Sequence, residues 1–171
     1  MEIEFNENNA QNQCLKMPKP KIFLAADHAG FKLKEKIKKF LAESEFEVED
    51  VGANKLEADD DYPKFISVAA KKVAETPNSK GIIFGGSGQG EAIVANKVKG
   101  IRAAVYYGNS LDILRLSRLH NDANILSLGA RFLEEKHAIE AVNLWLNTEF
   151  SNEERHNRRI KQITYIEKTC K

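Results

Sequence analysis

The 171-residue sequence has no apolar run approaching the length of a bilayer span, so no membrane helix is expected. It also lacks a charge imbalance. A formal net charge of +1 creates no overall field to gather nucleic acid or an anionic membrane, so neither is expected as a partner. Any anion must be held by a local cluster. Cysteine is scarce: Cys14 and Cys170 sit near opposite ends, and no CxxC pair supports a zinc knuckle or a redox motif. Reduced thiols in a cytoplasmic protein are the expectation. Met1 to Lys16 lacks the basic start and apolar middle of a secretory signal. It is polar, rich in Asn, Gln and Glu, and reads as a disordered extension. The expected division is a polar extension over 1–18 and one domain over 19–171, C-terminal helix included. No internal repeat or inter-domain linker interrupts it. What remains is globular in composition, 42% hydrophobic and 30% charged, and large enough for one buried core.

From Lys21 onward short apolar runs alternate with helical stretches. Ile22 to Ala26 reads as a strand covered on both faces. Phe31, Leu33, Ile37, Phe40 and Leu41 follow at helical spacing. Phe46 to Val51 reads as an edge strand, and Asp59-Asp60-Asp61-Tyr62-Pro63 opens a helix running to Glu75. Further strands are expected at 81–84, 101–106 and 125–128. Helices are expected at 91–98, from Asn109-Ser110 to Leu119, at 137–146 and at 153–167. This order predicts a three-layer α/β/α Rossmann-like sandwich around a five-stranded parallel sheet. Ligands of such folds sit beyond the carboxyl ends of the strands. Asp27-His28, the loop after Phe84 and the region near Tyr107 would all lie there.

That loop, Gly85-Gly86-Ser87-Gly88-Gln89-Gly90, is the strongest single feature, with glycine at four of six positions between a strand and a helix. Glycine lets a ligand approach backbone N–H groups, and a helix N-terminus favours negative charge. A phosphate or a developing oxyanion would suit it; a tight turn alone needs fewer glycines. Dinucleotide binding is a weaker reading, because the third glycine of a G-x-G-x-x-G fingerprint comes one position early and the loop follows the third strand. Glu91 comes next. It either complements the helix dipole or acts as a general base.

Asp27 could cap the first helix and His28 could bond a carbonyl; alternatively both face a ligand. No second histidine stands at metal-ligand spacing from His28, and no metal is expected. His120-Asn121 terminates a helix, yet His120 is also suited to proton shuttling. Arg155 and Arg159 lie one turn apart on one helix face and suit a phosphate dianion, or form a solvated basic face.

Eight segments in order, including Asp27-His28-Ala29-Gly30-Phe31, Asp61-Tyr62-Pro63, Gly86-Ser87-Gly88-Gln89-Gly90, His120-Asn121-Asp122-Ala123-Asn124, Gly129-Ala130-Arg131 and Arg155-His156-Asn157-Arg158-Arg159, carry a resemblance. They resemble the type-B ribose-5-phosphate isomerases and the related galactose-6-phosphate isomerase subunits, over about Pro20 to Ile166. Many members carry a cysteine base just before the glycine loop. Gly85 stands at that position here, so the chain looks like the branch whose base is a glutamate after the loop, matched by Glu91. The resemblance implies aldose–ketose isomerisation of ribose 5-phosphate and ribulose 5-phosphate through an enediolate, in the non-oxidative pentose phosphate pathway. A hexose-6-phosphate isomerase subunit and a non-catalytic sugar-phosphate-binding module are the alternatives. It further implies Glu91 as base, His120 as ring-opening acid, and Ser87 to Gly90 as enediolate donors. Asp27 and Asn121 would hold sugar hydroxyls. His28, Arg131, Arg155 and Arg159 would hold the phosphate, with Tyr62 and Ser87 bordering the sugar. No cofactor is implied. A homodimer or homotetramer with shared sites is implied, the partner supplying the segment from His120 to Arg131.

Overall fold

The computed structural model describes residues 18–169. The expected extension lies almost wholly outside them, as do Cys14 and Cys170. The elements are β1 (Lys21–Ala26), α1 (Phe31–Glu43), β2 (Val48–Asp50), α2 (Tyr62–Glu75), β3 (Ser79–Gly85), α3 (Gln89–Ala95), β4 (Ala103–Tyr106), α4 (Asp112–Leu119), β5 (Ile125–Gly129), α5 (Glu135–Leu146) and α6 (Glu154–Thr169). All five strands are parallel, in the order β2-β1-β3-β5-β4. The expected sandwich and the edge position of β2 are therefore found.

Strand side chains alternate between two faces, and the core divides accordingly. Ile22, Leu24, Ile82, Phe84, Leu126 and Leu128 pack with Leu33, Ile37, Leu41 and Trp145 of α1 and α5. Phe23, Ala25, Ile83 and Ile125 pack with Ile66, Ala69, Ala70 and Val73 of α2 and Ala95 of α3. Both faces of β1 and β3 are thus covered, which explains their unbroken apolar runs.

Two boundaries differ usefully from expectation. Helix α3 starts inside the glycine loop, at Gln89, with Gly88 as its N-cap at φ 78°. That left-handed backbone is one glycine adopts without strain. Helix α4 starts at Asp112 instead of directly after Asn109-Ser110, although the Ser110 hydroxyl still accepts the Asp112 N–H. Among the described residues no helix is long and apolar enough to cross a membrane.

Candidate active site

Because every strand points the same way, the ends of β1, β3 and β5 form one crest. Asp27 and His28 follow β1, the glycine loop follows β3, and Gly129-Ala130-Arg131 follows β5. The loop is tied to its neighbour by Ala130 N–H donating to Gly85 O (2.8 Å) and Arg131 N–H donating to Gly86 O (3.1 Å). From beneath, the buried Ser127 hydroxyl donates to Gly88 O at 2.7 Å. These bonds hold the loop backbone in place. Among the described residues the N–H groups of Ser87 and Gly88 have no partner and are free for an oxyanion.

Glu91, the third residue of α3, is only 5% exposed. Its carboxyl group occupies the space a side chain at position 85 would need. A Cβ on Gly85 would lie 1.9 Å from both Glu91 Cδ and Oε1. Burial raises the Glu91 pKa, its own backbone N–H opposes that rise, and the nearby Asp27 charge adds to it. A buried carboxylate with raised basicity suits proton abstraction.

Asp27 is not the N-cap of α1, which is Gly30, but it shapes the approach to that helix. Its Oδ1 accepts the Ala29 and Gly30 N–H groups at 3.0 and 3.2 Å, forming the turn into α1. His28 bonds not a carbonyl but the carboxylate of Asp60, a residue the sequence reading passed over. Tyr62 reaches the loop from the start of α2: a Cβ on Gly90 would stand 2.7 Å from its hydroxyl. Arg131 lies over Gly86, its guanidinium carbon 3.1 Å from where a Cβ would be. Asp27, His28, Tyr62, residues 86–91 and Arg131 are thus brought together in one chain.

His120, Asn121, Arg155 and Arg159 are not among them. Asn124 O accepts from Gly81 N–H, near the start of β3, so the approach to β5 lies toward the amino ends of the strands, opposite the crest. The five residues of β5 separate the two ends by roughly 13 Å. His120 instead stacks on His156 of α6, ring centroids 4.3 Å apart. His156 is buried and bonded to the Ser151 hydroxyl (2.8 Å), and burial lowers its pKa, which favours the neutral form of the ring. Arg155 and Arg159 are exposed on the same helix. The resemblance assigns the whole segment from His120 to Arg131 to the partner; within this chain Arg131 lies over its own Gly86 and His120 does not. Strand β5 carries the chain from one end of the strands to the other, leaving His120 toward their amino ends and Arg131 at their carboxyl ends.

Asp27, His28 and Asp60 could also hold a metal ion, with one ligand atom each within 4.8 Å of the others. The His28 Nδ1 contact to Asp60 Oδ1, however, has hydrogen-bond length, 2.7 Å.

A parallel α/β sandwich whose crest joins a glycine-rich anion cradle to a buried carboxylate defines a class: Rossmann-like enzymes that act on small anionic substrates. Within it the chain belongs to the ribose/galactose isomerase family, whose model matches residues 22–163. The ribose-5-phosphate isomerase B of Mycobacterium tuberculosis is 40% identical over 149 residues, 87% of this chain and 91% of that one. Among solved structures, ribose-5-phosphate isomerase B of Clostridium thermocellum matches with a TM-score of 0.83 at 42% identity, covering 88% of this chain and 99% of its own. The Mycoplasma genitalium enzyme with bound ribulose 5-phosphate matches with a TM-score of 0.82 at 39% identity, covering 87% and 97%.

Proposed function

We propose that this chain interconverts ribose 5-phosphate and ribulose 5-phosphate, as a step of the non-oxidative pentose phosphate pathway, with Glu91 as the base. The observation that carries this reading is the Glu91 carboxyl group seated against Gly85. Where many family members carry a cysteine before the loop, this chain offers an empty position filled by a carboxylate from the loop's other end. Glu91 takes the proton from C2 of the open aldose. The C2–H electron pair forms the C1–C2 double bond, and the carbonyl electrons move to O1, which the Ser87 and Gly88 N–H groups stabilise. Transfer of the O2 proton to O1, as the O2–H electron pair forms the C2 carbonyl and the double-bond electrons take the proton back from Glu91 at C1, gives the ketose.

Asp27 keeps Oδ2 for a sugar hydroxyl, since Oδ1 is spent on the turn. Tyr62, Gln89 and Gly90 border the sugar. His28 and Arg131 hold the phosphate from this chain. His120, Asn121, Arg155 and Arg159 reach the same substrate from a second copy, which a homodimer or homotetramer supplies. His120 then protonates the ring oxygen during opening. Support comes from the separation of the two residue sets between opposite ends of the strands, and from exposed apolar side chains Ile93, Ile113, Leu116, Ile163 and Ile166 on α3, α4 and α6.

The purified chain, assayed alone on ribose 5-phosphate, allose 6-phosphate and galactose 6-phosphate, tests the substrate. The pentose phosphate should give the highest kcat/KM. Preference for a hexose phosphate would replace the pentose assignment.

A further inference from the structure

The loop between β2 and α2 carries an acidic run, Glu57 to Asp61, most of which is exposed. Asp60 is the exception. Its side chain is 7% exposed and turned onto His28. Its Oδ1 accepts two bonds from that residue, from the backbone N–H at 2.9 Å and from ring Nδ1–H at 2.7 Å. A carboxylate only accepts, so the ring nitrogen is the donor. Its Oδ2 is buried without a partner among the described residues. An orphaned buried carboxylate oxygen is costly unless a neighbouring charge compensates it. His28 is one-third exposed at its side chain, and its Nε2 has no hydrogen-bond partner among the described residues.

We propose that Asp60 is a positioning residue for the substrate's phosphate: it fixes the His28 ring with Nδ1 inward, so that Nε2–H is presented to a phosphate oxygen. This rests on the reading above, in which His28 and Arg131 hold that group. The charged groups facing the ring are Asp60, Asp27 and Arg131. The Asp60 hydrogen bond raises the His28 pKa most. The charges of Asp27 and Asp60 add to it, while burial and Arg131 oppose it. The ring therefore stays cationic to higher pH than an ordinary histidine. A cationic donor bonds a phosphate dianion more strongly than a neutral one.

Asp60→Asn keeps the side-chain shape and an acceptor for the ring while removing the charge. The test follows the His28 ring nitrogens by NMR in wild type and Asp60→Asn, across pH and during titration with inorganic phosphate. In the wild type, phosphate should shift the His28 ring. In the variant, His28 should titrate at lower pH and phosphate should bind about tenfold more weakly. Turnover of ribose 5-phosphate should show a matching rise in KM, largest between the His28 pKa of the variant and that of the wild type, with kcat within about twofold. A merely structural role would not divide KM from kcat in this way. An unchanged His28 titration in Asp60→Asn, or no effect of phosphate on His28 in the wild type, would overturn the proposal. Asp60-dependent phosphate binding at His28 without isomerisation by the wild type would uphold it and defeat the substrate assignment instead.

Discussion

Gly85→Ala probes the space that Gly85 and Glu91 share. The added Cβ would lie 1.9 Å from the Glu91 carboxyl carbon, whereas ordinary contact begins near 3.4 Å. The carboxylate must therefore retreat by about 1.5 Å. It is the free end of a flexible side chain, and Gly85 is not among the positive-φ glycines, so the strand accepts alanine and the fold survives. The chemistry should not. A misplacement of about 1 Å at a reacting group costs roughly 100-fold in rate. The variant should keep its thermal unfolding midpoint within a few degrees while kcat on ribose 5-phosphate falls about 100-fold or more. Gly85→Cys combined with Glu91→Ala replaces the carboxyl group by a thiol from the other end of the loop. That double variant should turn over faster than Glu91→Ala alone. Near wild-type kcat in Gly85→Ala, with Glu91 displaced, would refute the claim that this carboxylate's position matters.

Shared sites make a separate prediction. Glu91→Gln and His120→Asn, each inactive alone, should regain about a quarter of wild-type activity when unfolded together and reassembled as a random dimer mixture, because each mixed dimer holds one intact site. No recovery would place both residues in one chain's site. The raised Glu91 pKa predicts two pH effects. The acid limb of kcat/KM should lie above the ordinary glutamate range, since the base must be ionised. A raised folded-state pKa contributes stability at low pH that is lost as pH rises through it. Glu91→Gln should therefore melt higher than wild type at neutral pH, with the advantage fading below the ordinary glutamate range; calorimetry at several pH values checks the sign.

The sandwich was legible because β1 and β3, covered on both faces, show short apolar runs between helical stretches. Their order in the sheet was not, since it depends on which distant strands meet. The glycine loop announced itself by composition. What its first glycine does became visible only when the Glu91 carboxyl group was found in that glycine's side-chain space. Asp60 was hidden in an acidic run that looks solvated from end to end; only its burial against His28 distinguishes it. His156 was hidden in a basic cluster, where arginines dominate the pattern. His120 and Arg131 are near in sequence, but a five-residue strand lies between them and carries the chain to the opposite end of the strands. Sequence proximity was misleading there because a strand is the most extended path a chain can take.

The central claim is that Glu91 moves a carbon-bound proton. Ribose 5-phosphate incubated with the protein in deuterium oxide measures it directly, because binding alone exchanges no such proton. Wild type should incorporate solvent deuterium while forming ribulose 5-phosphate, and Glu91→Gln should lose both exchange and turnover while keeping its fold. Exchange and turnover near wild-type levels in folded Glu91→Gln would contradict the account.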